Sequence, residues 1–177
     1  MMRFLFAALL FLGTLEANQA QKFMKAYQTQ QYEVACKYGM NLFYEGARDT
    51  NLLIAIGNAC AQSDYINFLG RLQSALQLNE EARDAAVYFS SLILTKRLLF
   101  QFMFDETDIT SYTLPVTNHL LSRVFEKIKE GNYKVVSRHP KVIKIGDDQK
   151  YMLLYTKKRL MIEEYRNSQI VQTHRYL

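Results

Sequence analysis

From Ala20 to Phe104, apolar and small residues recur every three or four positions. Tyr32, Ala35, Cys36, Gly39, Leu42 and Phe43 form one stripe; Leu53, Ile56, Gly57 and Cys60 form a second; Tyr65, Phe68, Leu69, Leu72, Ala75 and Leu76 form a third. A period near 3.6 predicts amphipathic helices with one buried face each. Polar or glycine-bearing breaks at Gly46–Asn51, Gln62–Asp64 and Asn79 separate them. Asn79 followed by Glu80 and Glu81 predicts a helix start, with a capping side chain and acids beside the positive end of the helix dipole. Ala82, Ala85, Ala86, Phe89, Leu92, Ile93, Phe100 and Met103 extend that helix to about Phe104, where DETDITS interrupts it. Pro115, read as a first-turn residue, opens a further helix to Glu130, with Leu120, Leu121, Val124, Phe125 and Ile128 as its stripe and Gly131 as its stop.

After Gly131 the pattern changes. Lys141–Ile145, Lys150–Thr156, Arg159–Arg166 and Gln169–Arg175 are short, β-branched or aromatic, and separated by polar turns. These predict an antiparallel meander of three or four strands, one face packed on helices and the other wet. The expected fold is therefore α+β: five to six helices in hairpins, followed by a small C-terminal antiparallel β-meander. The expected division is 1–17, 18–130 for the helices and 131–177 for the basic sheet.

The first segment has its own character. Arg3 precedes the apolar run Phe4–Leu12, and small residues lead into the polar NQAQK. A basic start, a short apolar core and a small residue at the exit are the parts of a secretory signal peptide. The run is shorter than the roughly 20 apolar residues a bilayer span needs. Cleavage is expected after Ala17, with Ala20 as the second choice. The alternative is a retained anchor or a buried first helix. Export from a diderm bacterium places the mature chain in the periplasm, with no membrane-crossing segment after cleavage.

Charge sharpens the picture. Asn18–Glu130 carries 11 basic and 12 acidic residues, while Gly131–Leu177 carries 10 basic and 4 acidic, so the whole excess lies in the C-terminal quarter. Such asymmetry predicts an anionic contact. Export argues against nucleic acid and for an acidic protein, phospholipid head groups or a cell-wall polymer; a solvated basic face is the alternative. Lys157, Lys158 and Arg159 share one turn, and Tyr155, Tyr165 and Tyr176, with Tyr151, place aromatic groups on or near the same sheet. These are the candidate partner-binding residues, and the last strand is the expected edge.

Tyr65 follows Tyr32 by 33 positions. The segment Ser63–Asn79, with Asp64-Tyr65 at its start and Ala75-Leu76-x-Leu78-Asn79 at its end, resembles the second helix of a tetratricopeptide repeat. Leu53, Ile56, Gly57 and Cys60 match the spacing of that family's first helix, where the glycine permits close contact. QYEVACKYGMNLF resembles another second helix. Phe68 stands where the family has a small residue, and no proline ends either repeat. The resemblance covers roughly Ala20–Asn79 and implies helical-hairpin stacking and a peptide- or protein-binding scaffold. In overall character the chain also resembles accessory scaffold proteins of the flagellar motor and related envelope machines of Campylobacter-type bacteria.

On the hairpin reading, Cys36 and Cys60 lie on helices that pack side by side. An even number of cysteines in an oxidising compartment favours a disulfide between them; two buried thiols are the alternative. Redox catalysis needs a closer pair, such as C-x-x-C, than this. His119, His139 and His174 lack metal-site spacing. The acidic cluster Asp105, Glu106 and Asp108 lacks a calcium loop's alternation, and Glu163 and Glu164 point to opposite faces of a strand. No nucleophile elbow or phosphate-binding glycine loop occurs. The expected function is a non-enzymatic scaffold or adaptor binding other envelope proteins, without cofactor, metal or small-molecule substrate. The alternatives are a periplasmic chaperone, a transport accessory, or an envelope enzyme with an unrecognised pocket.

Overall fold

The computed structural model describes residues 18–138, 141–146, 151–156 and 159–176. The expected signal peptide, His139, Lys157 and Lys158 lie outside them. Among the described residues, six helices precede a five-stranded antiparallel sheet: α1 (residues 18–28), α2 (Tyr32–Tyr44), α3 (Thr50–Gln62), α4 (Ile66–Ala75), α5 (Glu80–Phe104) and α6 (Leu120–Lys129), then β1 (Tyr133–Arg138), β2 (Lys141–Ile145), β3 (Tyr151–Thr156), β4 (Arg159–Arg166) and β5 (Gln169–Tyr176). The chain divides into two compact units between Ala86 and Val87, inside α5. The division expected from the change of period fell later, between Glu130 and Gly131. The second half of α5 and α6 belong with the sheet because they supply the apolar cover its inner face requires.

In the first unit, the α1–α2 and α3–α4 turns are the same structure 34 residues apart. Gln30 and Asp64 both take positive φ, 56° and 66°. The N–H of Gln31 donates to Ala26 O, and that of Tyr65 to Cys60 O, both at 2.9 Å. Thr29 Oγ1 donates to Lys25 O at 2.9 Å, and Ser63 Oγ to Ala59 O at 2.7 Å. A left-handed residue closes each helix by satisfying its last carbonyls. Tyr65 is therefore the equivalent of Gln31; the 33-residue pairing with Tyr32 is one position out of register. Between the two repeats, Tyr65 Oη donates to Glu33 Oε1 at 3.1 Å, an oxygen that Lys37 of the same helix as Glu33 also reaches at 2.6 Å, and the Arg71 guanidinium lies 5.4 Å from the Tyr44 ring centroid. These contacts set α4 alongside α2 in the same direction.

Cys36 on α2 and Cys60 on α3 are at disulfide distance, Sγ to Sγ 2.05 Å, and neither is exposed. Close approach of these helices depends on Gly39: a Cβ there would lie 2.6 Å from Ile56 Cγ1. Gly57, the glycine expected to permit contact, is buried on α3. Phe23, Met40, Leu53, Ile56, Ile66, Leu69 and Leu72 complete the core. Asn79 Oδ1 accepts from the N–H of Ala82 at 2.8 Å, so α5 starts where its cap predicts.

In the second unit, α6 starts at Leu120, five residues beyond Pro115. The local hydrogen bonds explain the shift. Thr117 N–H donates to Ser122 Oγ at 2.9 Å, His119 N–H donates to Thr117 Oγ1 at 3.3 Å, and Leu121 N–H donates to His119 Nδ1 at 3.2 Å. Polar caps satisfy the orphan donors here, and Pro115 remains in the loop. Gly131, φ 74°, ends α6, with the Asn132 N–H donating to Lys127 O. Among the described residues no helix is long and apolar enough to cross a membrane.

Candidate interaction face

The strands run in sequential order, β1-β2-β3-β4-β5, so β1 and β5 are the two edges. Directly paired residues in an antiparallel sheet share a face, and successive residues alternate between faces. The register therefore assigns every side chain. Val135, Ile143, Leu153, Ile162 and His174 form one row of the inner face, and Tyr133, Ile145, Tyr151, Glu164 and Gln172 the next. Ile143, Ile145, Leu153, Leu160 and Ile162 are all fully buried. The Tyr155 ring meets Phe100 at 5.4 Å and Phe104 at 5.2 Å, and Tyr133 meets Phe102 at 5.4 Å. Lys141 Nζ donates to Phe102 O at 3.0 Å and lies 3.4 Å from Glu106 Oε1. The inner face is thus covered from the C-terminal half of α5. On the same face Glu164 bridges His174 (Oε1 to Nε2, 3.0 Å) and Arg123 (Oε2 to Nη2, 3.9 Å).

The outer face is different in kind. One row is Ser137, Val142, Leu154, Met161 and Arg175; its neighbour is Lys134, Lys144, Met152, Glu163 and Thr173. Arg159, two residues before Met161, belongs to the same face. Four half-buried apolar side chains, Val142, Met152, Leu154 and Met161, occupy the middle, and Lys134, Lys144, Arg159 and Arg175 stand around them. Glu163 is the carboxylate among these rows, and it accepts a hydrogen bond from Tyr165 Oη at 2.9 Å. Partial burial, followed by that carboxylate, pushes the Tyr165 phenol above its usual range.

The expected site residues separate on these faces. Arg159 is exposed on the outer face and Tyr165 is half-buried there. Tyr155 packs against α5, and Tyr176 is 1% exposed, paired with Leu160 on the inner face. Tyr176 is a packing residue, correcting the expectation that it offers aromatic surface to a partner, and Tyr155 is half-buried on the same face. The cause is the two-residue side-chain period, which sends Tyr165 outward while Tyr155 and Tyr176 turn inward. Glu163 and Glu164 do lie on opposite faces. Lys134, Lys144 and Arg175 were not singled out from the sequence. Their signal exists only in the cross-strand register, and β1 itself was not expected.

Both edges carry a register shift, between Val135 and Ser137 on β1 and opposite Glu164 and Tyr165 on β5. Each shift leaves one extra residue, Val136 and Val171, bulged out of the ladder. Val136 is 58% exposed, and Ile170 and Val171 are 51% and 55% exposed. An open concavity of about 370 Å³ lies at the α6–β1 turn, lined by Glu130, Asn132, Tyr133, Lys134 and Lys144 with two glycines. Among the described residues no three His, Cys, Asp or Glu side chains group as metal ligands. No family model, no curated protein and no solved structure matches this chain.

Proposed function

We propose that this chain is a non-enzymatic scaffold or adaptor of an exported compartment, the periplasm of a diderm bacterium, that binds other envelope proteins through its sheet edge. The observation that carries the proposal is β5: an edge strand bearing adjacent aliphatic side chains, Ile170 and Val171, each more than half exposed. An edge strand presents unpaired backbone groups to another chain, and exposed β-branched side chains add apolar contact. The repeated 34-residue turn supports the tetratricopeptide-like reading of the first unit and hence a binding scaffold, of the kind that accessory proteins of the flagellar motor would use. The Cys36–Cys60 pair is compatible with an oxidising compartment.

The test is crosslinking in intact envelopes followed by mass spectrometry, comparing the natural chain with Ile170→Lys plus Val171→Glu. These exposed positions leave the buried His174 and Tyr176 in place, whereas deleting β5 removes both from the core. Loss of a specific crosslinked protein with an unchanged circular dichroism spectrum is expected. Unchanged crosslinks exclude the β5 edge. Exchange of Lys157, Lys158 and Arg159 for Glu tests the basic turn in the same assay; a rim reversal slows association and alters its salt dependence.

A further inference from the structure

We infer that the outer face of the C-terminal sheet docks on an anionic phospholipid surface. The evidence is a contrast between the two faces of one sheet. On the inner face and its flanking helix, cations meet acceptors: Lys141 with Glu106 and Phe102 O, Arg123 with Glu164, Lys127 with Glu130 at 2.8 Å. On the outer face, Lys134, Lys144, Arg159 and Arg175 form no ion pair among the described residues, and the carboxylate in their rows is engaged by Tyr165. Lys134 and Lys144 stand directly opposite each other across the β1–β2 ladder. Like charges in directly opposed positions destabilise a sheet, and an external anionic surface relieves that repulsion.

Dimensions choose between anionic partners. The cations run from β1 to β5, four inter-strand steps of about 4.8 Å, or roughly 19 Å. An amphipathic helix with side chains is only about 10–12 Å across, so one laid along the strands reaches one margin of the face and leaves the other unmatched. A headgroup layer supplies phosphates to both margins and conforms to a twisted sheet. The apolar middle, Val142, Met152, Leu154 and Met161, faces the interface at the level of the cation stems, and Val136 and Val171 at the two bulged edges extend the apolar contact sideways. A second copy is a poor occupant, because face-to-face pairing sets four cations against four. The docking face meets the β5 edge at Val171, and the two contacts are told apart by readout: vesicle binding for the lipid face, the protein crosslink for the edge.

The test is vesicle sedimentation of the full chain with phosphatidylglycerol–phosphatidylcholine vesicles against phosphatidylcholine alone. Binding is expected on the anionic vesicles and is expected to fall as salt shortens the Debye length from about 10 Å at 0.1 M to about 3 Å at 1 M. Partition through the apolar run Phe4–Leu12 appears on both compositions and resists salt, and so is separated. Each basic residue near an anionic bilayer contributes about 1 kcal/mol, so Lys134→Gln with Lys144→Gln is expected to weaken binding roughly 30-fold. Arg159→Gln with Arg175→Gln, at two exposed positions, is expected to do the same without touching the β1–β2 ladder. The control, Lys25→Gln with Arg83→Gln, removes the same net charge from the first unit and is expected to leave binding within about twofold. Equal binding to neutral vesicles, or equal loss in the control, overturns the inference. So does absence of binding to the anionic vesicles; loss of a protein crosslink in the Lys134/Lys144 variant would then make the face a protein interface.

Discussion

Gly39→Ala sets two effects of similar size against each other. Alanine is favoured over glycine in a helix interior by about 1 kcal/mol, so an exposed position would gain stability. Here the new methyl would sit 2.6 Å from Ile56 Cγ1 and 2.9 Å from Cγ2, about 1 Å inside ordinary contact. Ile56 cannot rotate away, because a β-branched residue in a helix has one strongly preferred χ1. Nor can α2 and α3 separate freely, since Cys36 and Cys60 join them one turn from each of these residues. Overpacking of this kind costs about 1–3 kcal/mol. The expected net result is a loss of about 1 kcal/mol, read as a lower urea midpoint at unchanged slope. The decisive measurement is a double-mutant cycle with Ile56→Ala. In that background the methyl has room, so Gly39→Ala becomes stabilising by up to about 1 kcal/mol and the coupling reaches about 2 kcal/mol. If Gly39→Ala raises the midpoint in the natural background, or the two changes add, the steric argument is refuted.

The Cys36–Cys60 link closes a loop of sequence separation 24. The chain-entropy model gives about 3.5 kcal/mol for it, so reductant should destabilise the first unit by roughly that amount. Mass spectrometry without reductant should find the chain two hydrogens lighter; two alkylatable thiols in native protein would contradict the link. Lys96 on α5 is 4% exposed, and burial, with Arg97 next, pulls its ammonium down to about 8. Because its folded value lies below the unfolded one, the unfolded chain holds more protons between about pH 8 and 10.5, and stability should rise across that window by on the order of 2–3 kcal/mol. Lys96→Met should flatten this part of the profile, as followed by denaturant midpoints; an unaltered slope would show that Lys96 is not the group responsible.

Much of the architecture is written in local pattern. The stripes between Ala20 and Phe104, the Asn79 cap, the Gly131 stop and most of the boundaries of the last four strands depend on residues within a few positions of one another. Short-range sterics and hydrogen bonding are enough to specify them. The pairing of Cys36 with Cys60 was also open to reasoning, because a hairpin repeat brings consecutive helices together. Pro115 misled because its fixed φ is permissive for a helix start but does not compel one; the hydroxyls of Thr117 and Ser122 outcompeted it.

What tertiary structure alone decided is which side of the sheet each residue faces and what it meets there. Tyr155, Tyr165 and Tyr176 are alike as sequence. The pleat turns Tyr155 and Tyr176 to the inner face, where Tyr155 meets α5 and Tyr176 is buried, and turns Tyr165 to the outer one. Lys134 and Lys144 are ten positions apart and acquire their relation only when β1 and β2 pair. A one-residue slip would exchange the faces of a strand, so no composition or charge count distinguishes a matched cation such as Lys141 from an unmatched one such as Lys144. The sequence by itself determined most of the elements, though not β1 or the start of α6, and the excess of positive charge. The burial of apolar surface against α5 and α6 fixed the register, and the register determined where that charge is left without a partner.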